Sequence, residues 1–438
     1  MAETNGAGRR ALSGVRVIDL TWLLAGPGGT RVLASLGAEV IRVECRDQRA
    51  LDFLRYTPPF PRKQKADEAA PEEVSMLGGN PVTNGVNRSG LFNNINPGKF
   101  GITLNLNNPK GREILKRLVA KANVICENFS PERMAQWGLA YENLREVNPS
   151  IIYVQTTGTG RAGVYHDYGG YGPTAQALSG LTTMSGLPEP RPPAGWGYSY
   201  LDHSPGYYSS MLVMAAVMRQ RKTGAGCYID LSQSEVGIML TGTATLDYQV
   251  NGRSFERPGN RMPYADWAPH GAYPCRGDDE WIAIAVTDDA QWVALTAEMG
   301  SPAWSRQDRF ASAGGRKANE NELDREVAAW TASQDRYELM NRLQARGIAA
   351  GAVQKSIDRF TRDPQLRERG FFVKLGHSEL GEWPVDGFPA RLSASPAYVG
   401  GLTGRGAPML GEDTERVYRD VLGIEGEELR SLMEEGAI

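Results

Sequence analysis

A single carboxylate, Asp202, stands in a stretch rich in aromatic side chains, from Trp196 to Tyr208. Aromatic rings around an acid can exclude water, and a poorly hydrated carboxylate is a stronger nucleophile towards an acyl group. The same position suits a structural role, because an aspartate at a loop-to-helix junction accepts backbone N–H bonds as a helix cap. The preference for acids at helix starts favours the cap, and the nucleophile is the alternative.

The elements around Asp202 predict that it lies at such a junction. Residues 186–197 contain four prolines and cannot form a helix, whereas residues 209–218 are nearly all good helix formers. Pro205 and Gly206 fall where the first helical turn would be. The carboxylate therefore follows an irregular loop and precedes a long apolar helix.

Composition limits the classes of function. The chain has 438 residues, 23% of them charged, and a formal net charge of −3, which is typical of a globular protein without a nucleic-acid-binding surface. Its four cysteines are far apart, so neither a zinc site nor a disulfide framework is indicated, and no metal site is expected. The polar N-terminus and the absence of a long apolar run predict a cytoplasmic protein that does not span a membrane.

Strands and helices alternate through the first half of the chain. Residues 15–20 and 39–44 read as strands around a helix that begins near Gly26. The glycines there fail the dinucleotide-binding motif, since Arg31 stands where the last glycine is needed. Later strands are predicted at 100–106, 124–126, 149–155 and 228–231. The pattern predicts an α/β fold with a mainly parallel, Rossmann-like sheet and ligands at the carboxyl ends of its strands.

The length of the chain predicts more than one domain. We expect a large domain over residues 1–225, to which residues 395–438 return. A smaller α+β domain is expected over 226–330, and residues 331–394 would form a linker and return segment. Residues 47–92 lack periodicity but carry aromatic side chains, which favours a functional lid over disorder.

Several stretches together resemble the family III CoA-transferases, also called the CaiB/BaiF or formyl-CoA transferase family. The matching stretches are residues 12–20, Ala25-Gly-Pro27, residues 36–44, Glu127-Asn-Phe129, Tyr171 with residues 176–180, residues 222–226 and residues 407–412. The resemblance implies the family's Rossmann-like fold and its interlocked homodimer.

The resemblance also implies that Asp202 is the nucleophile, because Asp202-His-Ser-Pro-Gly206 matches the family's Asp-x-x-x-Gly pattern. A carboxylate of this kind attacks the donor thioester to give a mixed anhydride, CoA thiolate converts the anhydride to an aspartyl-CoA thioester, and an acceptor acid reverses the exchange. Because each step conserves an activated acyl group, CoA thioesters serve as substrates and no permanently bound cofactor is expected.

The family's CoA contacts carry over to nine positions. They are Leu23, Leu24 and Ala25 at the nucleotide, Asn128 and Phe129 beside the pantetheine, Leu104 at the adenine, and Arg42, Arg46 and Arg133 as candidates for the phosphates. Two positions depart from the family pattern, since Cys45 and Gln136 stand where relatives often carry arginine.

Around the nucleophile, the resemblance and the sequence position assign Tyr171, Tyr200 and His203 to the substrate. Gly172 departs from many relatives, which carry an acid there. That acid is used by the related α-methylacyl-CoA racemases, so its absence argues against the alternative of a 2-methylacyl-CoA racemase. The remaining alternative is a subunit of a heteromeric CoA-transferase.

The aromatic residues near Asp202 and in the 47–92 segment predict rigid walls for a bulky or aromatic acid. They are Trp196, Tyr198, Tyr200, Tyr207, Tyr208, Phe53, Tyr56 and Phe60. The competing interpretation is that several of these rings pack in the core of the domain.

Overall fold

A computed structural model describes residues 10–47, 50–60, 85–195 and 199–438. These residues form two compact units. The first contains the described residues up to 182, those from 199 to 250 and those from 365 to 438; the second contains residues 183–195 and 251–364.

Eleven strands are formed in the described part of the chain. They are β1 (Arg16–Asp19), β2 (Glu39–Glu44), β3 (Phe100–Thr103), β4 (Val124–Glu127), β5 (Ile152–Thr157), β6 (Cys227–Ser232), β7 (His270–Pro274), β8 (Trp281–Ala285), β9 (Ala349–Ala352), β10 (Phe372–His377) and β11 (Gly381–Asp386). The first six form one sheet in the order β3-β2-β1-β4-β5-β6, and every neighbouring pair in it is parallel. The predicted α/β fold with a parallel sheet is therefore confirmed.

The α-helices are α1 (Ala25–Ser35), α2 (Gly90–Ile95), α3 (Pro109–Val119), α4 (Arg133–Gln136), α5 (Tyr141–Val147), α6 (Gly172–Leu178), α7 (Leu181–Met184), α8 (Ser204–Thr223), α9 (Gln233–Leu240), α10 (Gly242–Asn251), α11 (Asp289–Glu298), α12 (Ala313–Ala318), α13 (Glu320–Thr331), α14 (Arg336–Ala345), α15 (Ser356–Thr361), α16 (Pro364–Glu368), α17 (Thr414–Val417) and α18 (Gly426–Glu434). None of the described helices is long and apolar enough to cross a membrane.

Both faces of the parallel sheet are covered, as is usual for parallel sheets, whose strands are buried on both sides. Successive strand residues point to opposite faces, so Val17 joins one buried cluster and Ile18 joins the other. Helix α8 packs on the Val17 face and α3 on the Ile18 face, where α18 also contributes Leu429. The C-terminal residues thus return to the first unit.

The strand order places a switch point between β1 and β4. From β1 the chain proceeds to β2 and β3 on one side, and from β4 to β5 and β6 on the other. Open sheets of this type form a crevice beyond the carboxyl ends of the strands at such a point. The segments that follow Asp19 and Glu127 flank this crevice.

The second unit has its own core beside the antiparallel sheet β7-β8-β9. Strand β9 pairs with β8, and Leu339 and Leu343 of α14 are fully buried in the same core. Near the start of the segment 251–364, Arg257 donates hydrogen bonds to the carbonyl oxygens of Leu187 and Arg191. These contacts bring residues 183–195 into the second unit.

The domain boundaries differ from those predicted. Residue 226 does not begin the small domain, because β6 (Cys227–Ser232) is the edge strand of the parallel sheet. Residues 331–364 are not a linker, because β9 and α14 complete the small unit. The predicted helix over 233–250 is also divided, with a break at Thr241.

The predicted lid at 47–92 lies partly outside the described residues, which omit 48–49 and 61–84. The described parts contain regular structure. Phe53–Tyr56 forms a 3-10 helix, and Leu54 is buried against Phe92 of α2. A lid function for this segment stays a prediction.

Candidate active site

Asp202 ends a short 3-10 helix, Tyr200–Asp202, directly before α8. It does not cap that helix: the cap residue of α8 is His203, without a side-chain cap bond. Instead, Asp202 Oδ1 accepts a hydrogen bond from the backbone N–H of Gly172 in α6 at 3.1 Å. The interpretation of Asp202 as the cap of α8 is therefore wrong, and its carboxylate faces the first residue of α6.

Burial raises the pKa of Asp202 above its ordinary value, and the N–H of Gly172 and the charge on His203 oppose that rise. Burial also lowers the pKa of His203, against the opposing charge of Asp202. Loss of hydration thus dominates both groups. A carboxylate in this environment is a better nucleophile than one in bulk water.

Two glycines fix the position of Asp202 by letting α8 approach α1. A Cβ on Gly206 would lie 2.3 Å from the carbonyl oxygen of Ala25, and one on Gly29 would lie 2.6 Å from the carbonyl oxygen of Gly206. No side chain larger than hydrogen fits at either contact without a shift of backbone. Since Gly206 is four residues after Asp202, the crossing sets Asp202 beside the start of α1.

Asp202 lines a cavity of about 630 Å³ in the first unit, beyond the carboxyl ends of the parallel strands. A volume of this size is ordinary for small-molecule sites. The other lining residues are Leu20, residues 22–25, residues 43–45, Ala50, residues 104–107, residues 128–131, Arg133, Trp137, residues 156–158, residues 168–172, Thr174 and Gln233. The cavity therefore occupies the crevice expected at the switch point.

Three aromatic rings form one wall of the cavity. Trp22 and Phe129 meet edge to face with their ring centroids 5.6 Å apart, and Phe129 meets Trp137 in the same way at 5.6 Å. Arg133 lies over the Trp137 ring at 5.6 Å. A wall of this kind suits flat or apolar ligand groups, and the guanidinium adds a positive charge at its edge.

The turn from Trp22 to Ala25 is tied to the neighbouring strand end by Asn128. The Asn128 side chain accepts a hydrogen bond from the Trp22 N–H at 2.7 Å and donates one to the Trp22 carbonyl oxygen at 2.9 Å. Both polar groups of the amide are engaged with backbone. Asn128 therefore positions the cavity wall.

Comparison with known proteins identifies the family. The model of CoA-transferase family III matches residues 12–414. The chain belongs to this family.

Relatives of known name agree with this assignment to the family III CoA-transferases. The chain is 30% identical to the succinyl-CoA–D-citramalate CoA-transferase of Chloroflexus aurantiacus over 423 residues, and this matched region covers 97% of each chain. It is 29% identical over 423 residues, 96% of each chain, to the beta subunit of the succinyl-CoA–L-malate CoA-transferase of the same organism. A crystal structure of a CaiB/BaiF family protein from Brucella suis has 28% sequence identity and a TM-score of 0.81, covering 94% of this chain and 100% of that one. The chain is therefore an enzyme that transfers CoA.

Most of the site residues expected in a family III CoA-transferase line the cavity. They are Leu23, Leu24, Ala25, Leu104, Asn128, Phe129, Arg133, Tyr171 and Asp202. These residues come from the ends of separate strands and helices, and the fold brings them to one crevice. Their roles towards CoA and the acid remain predictions.

Arg42 is the exception, and its assignment to a CoA phosphate has to be corrected. Its side chain is fully buried. It forms an ion pair with Asp52 and another with Glu44 at 3.3 Å, and donates to the carbonyl oxygen of Thr21 at 2.9 Å. These carboxylates raise the pKa of Arg42 despite its burial. The guanidinium is committed to partners inside the protein, so it does not reach a ligand in the cavity.

Three further predicted residues lie outside the set that lines the cavity. Arg46 is exposed next to the lining residue Cys45, and its Nε donates to Thr103 Oγ1 at 3.2 Å. Tyr200 is 40% exposed, and its N–H donates to Gln176 Oε1 at 3.1 Å. His203 adjoins Asp202 but does not line the cavity. Among the described lining residues, Arg133 is the one cation.

The aromatic residues predicted to wall the acyl pocket do not do so where they are described. Phe53 and Tyr207 are exposed, at 41% and 54%, and Tyr208 packs with a small buried cluster around Leu201. Trp196 and Tyr198 lie outside the described residues. The rings that line the cavity are instead Trp22, Phe129, Trp137, Tyr168 and Tyr171.

Sequence reasoning missed several lining residues for which a local signal existed. Trp22 directly precedes the predicted Leu23, and Trp137 lies one helical turn after Arg133, so both could have been included. Thr156 and Gln233 come from the ends of β5 and β6, and the rule that ligands meet the carboxyl ends of parallel strands would have indicated them.

Proposed function

We propose that this family III CoA-transferase moves CoA between carboxylic acids through a covalent intermediate on Asp202. The observation that carries the proposal is the half-buried Asp202 carboxylate, which lines the cavity while one of its oxygens accepts the Gly172 N–H at 3.1 Å. That hydrogen bond orients the carboxyl group, and the proposal assigns the attack on the thioester to its other oxygen.

The reaction then proceeds by acyl exchange. Asp202 Oδ2 attacks the donor thioester carbonyl, the C–S bond breaks, and CoA leaves as the thiolate with a mixed anhydride on Asp202. The thiolate attacks the Asp202 carbonyl carbon, expelling the donor acid and forming an aspartyl-CoA thioester. An acceptor carboxylate repeats these steps in reverse and leaves as its CoA thioester, which regenerates Asp202. CoA thioesters are substrates, and the steps use no permanently bound cofactor.

Gly172 supports transfer over racemisation. A Cβ at this position would lie 2.4 Å from Asp202 Cγ and 2.4 Å from Ser199 Oγ, so an acidic side chain does not fit beside the nucleophile in this arrangement. A racemase needs a group that removes the proton next to the thioester carbonyl. The departure at Gly172 thus favours the CoA-transferase.

We propose that the acceptor is a bulky or aromatic acid, because Tyr168 and Tyr171 line the same cavity as Asp202. The competing class is a small dicarboxylic acid, because the relatives of 29–30% identity are named for citramalate and malate. The ratio of kcat/KM for cinnamate and for malate, with succinyl-CoA as donor, distinguishes the two classes. Preference for malate would reject the bulky acid.

The Asp202→Asn variant tests the proposal. We expect this variant to lose CoA exchange because an amide cannot form the anhydride. Asp167→Asn serves as the matched control: Asp167 is an exposed acid in the segment before Tyr171, and its variant should keep activity. Hydroxylamine added during turnover should convert Asp202 alone to a hydroxamate, detectable by peptide mass spectrometry. A hydroxamate on another carboxylate, or normal exchange by Asp202→Asn, would contradict the assignment.

A homodimer is proposed as the functional assembly. Large apolar side chains are exposed along three consecutive helices of the first unit, α8 to α10; they include Met211, Met218, Met239, Leu246 and Val250. Exposed apolar side chains concentrated on consecutive helices favour a subunit interface. A stable dimer in sedimentation equilibrium supports the proposal, and a monomer at micromolar concentration rejects it.

A heteromer is the alternative, since one relative is named as a beta subunit. Co-purification with a related chain would favour the heteromer.

A further inference from the structure

Leu23 lines the cavity in a backbone conformation that leucine rarely adopts. Its φ is 61°, in the left-handed region, where the Cβ of an L-residue is crowded by the following carbonyl oxygen. Such a conformation persists only when surrounding contacts impose it. What holds Leu23 is therefore part of how the cavity wall is built.

The contact that holds it comes from Asp52. The Leu23 N–H donates to Asp52 Oδ1 at 3.1 Å, and the same oxygen accepts the N–H of Leu54 at 2.9 Å. The second oxygen of Asp52 pairs with Arg42. Asp52 is fully buried, so water does not compete for these bonds.

The remaining residues of the same turn are also fastened. Thr21 donates its N–H to Asp19 at 3.0 Å and its carbonyl oxygen accepts from Arg42, while Trp22 is held by Asn128. Leu23 is thus the strained position in a turn whose other residues are already fixed. Without Asp52, the backbone of Leu23 can relax to a negative φ and move the wall on which Trp22 to Ala25 lie.

We propose that Asp52 is a positioning residue that keeps Leu23 in its left-handed conformation and thereby preorganises the cavity wall for the CoA moiety. The proposal rests on the proposed function, because it takes CoA as the ligand of this cavity. It assigns to Asp52 no contact with the substrate or with the reacting atoms.

The test is the dissociation constant of coenzyme A, measured by calorimetry, in two backgrounds, the wild-type chain and Leu23→Gly. Asp52→Ala in the wild-type chain should raise this dissociation constant about tenfold. Without Asp52, Leu23 relaxes in the free protein, and part of the binding free energy is then used to return it to the strained conformation when CoA binds. Glycine adopts a positive φ without strain, so Leu23→Gly makes the acceptor dispensable. In the Leu23→Gly background, Asp52→Ala should raise the constant only about threefold or less.

Further variants separate this role from a general loss of structure. Asp52→Asn keeps a weaker acceptor but loses the ion pair with Arg42, so it should weaken CoA binding less than Asp52→Ala while lowering the melting temperature. If Asp52→Ala does not fold, Asp52→Asn in the two backgrounds gives the same comparison at smaller amplitude.

The outcomes are distinguishable. An equal rise in both backgrounds, or a lower melting temperature with unchanged CoA binding, would overturn the role of Asp52 while leaving the CoA-transferase proposal intact. A wild-type protein that binds no CoA would overturn both. A larger effect in the wild-type background than in the Leu23→Gly background supports the proposal.

Discussion

Gly29 is the position at which a single methyl group should separate stability and activity effects most clearly. In Gly29→Ala the new Cβ lies 2.6 Å from the carbonyl oxygen of Gly206, short of ordinary contact at 3.4 Å by about 0.8 Å. The obstacle is backbone, so it cannot rotate away. Helices α1 and α8 must part, and Asp202 moves with the start of α8.

The neighbouring glycine gives a matched control. A Cβ on Gly28 meets nothing within 4 Å, and both glycines belong to α1. Each substitution gains about 1 kcal/mol of helix propensity, whereas only Gly29→Ala incurs an overpacking cost of about 1–3 kcal/mol. The two variants should therefore differ by about 1–3 kcal/mol in free energy of unfolding, with Gly28→Ala the more stable.

Activity should diverge further than stability. A displacement of the nucleophile by nearly 1 Å can cost about 100-fold in rate, so we expect kcat to fall by about 10–100-fold in Gly29→Ala and to change less than twofold in Gly28→Ala. Urea denaturation and a CoA-exchange assay measure the two quantities. If Gly29→Ala matched Gly28→Ala in both, the close crossing of the helices would not be what positions Asp202.

Two predictions concern pH. Because burial raises the pKa of Asp202, transfer should fail in acid at a midpoint above the ordinary value of 3.8, as measured by kcat/KM against pH with circular dichroism as a check on folding; a midpoint at or below 3.8 would contradict a desolvated nucleophile. Burial likewise raises the pKa of Glu127 from 4.5 to about 8. The folded protein therefore holds the Glu127 proton more tightly than the unfolded chain does. The free energy of unfolding should fall as pH rises from 4.5 to about 8, by at most about 1.4 kcal/mol per pH unit. Glu127→Gln should remove that part of the slope in urea denaturation, and an unchanged slope would show that Glu127 is not its source.

The sequence predicted the parallel sheet well because the strands are read from local patterns. Each of β1, β2 and β5 is a short segment that contains several β-branched residues, and such segments are typical of strands. The domain boundaries failed because they depend on pairing between distant segments. Strand β9 is short and weakly apolar, and its assignment to the second unit rests on pairing with β8 and on packing against a core formed by distant residues.

The candidate site was predicted unevenly for a similar reason. Residues on the loops after β1 and β4 followed from the topology and the family resemblance together. The aromatic walls did not, because neighbours in sequence need not share a surface: Tyr207 and Tyr208 are adjacent, yet one is exposed and the other packs against Leu201. Composition near a nucleophile therefore says little about what lines its pocket.

The correction at Arg42 can be traced to the period of a strand. On β2, Ile41 and Val43 join the apolar cluster on one face of the sheet, so Arg42 and Glu44 point to the other face, and both are buried. Two charges buried on one strand require partners, since an unpaired buried charge costs several kcal/mol.

Those partners come from segments that the sequence keeps apart. Asp52 and Arg55 follow β2, Asp19 ends β1 and Lys99 precedes β3; with Arg42 and Glu44 they form a buried set of three acids and three bases. Because Asp52 in this set also holds the N–H of Leu23, the ion pairs connect the sheet to the turn that walls the cavity. Arg42, which the family resemblance assigns to a phosphate, thus belongs to the support beneath the site, and among the described lining residues Arg133 is the cation left as a candidate for that role.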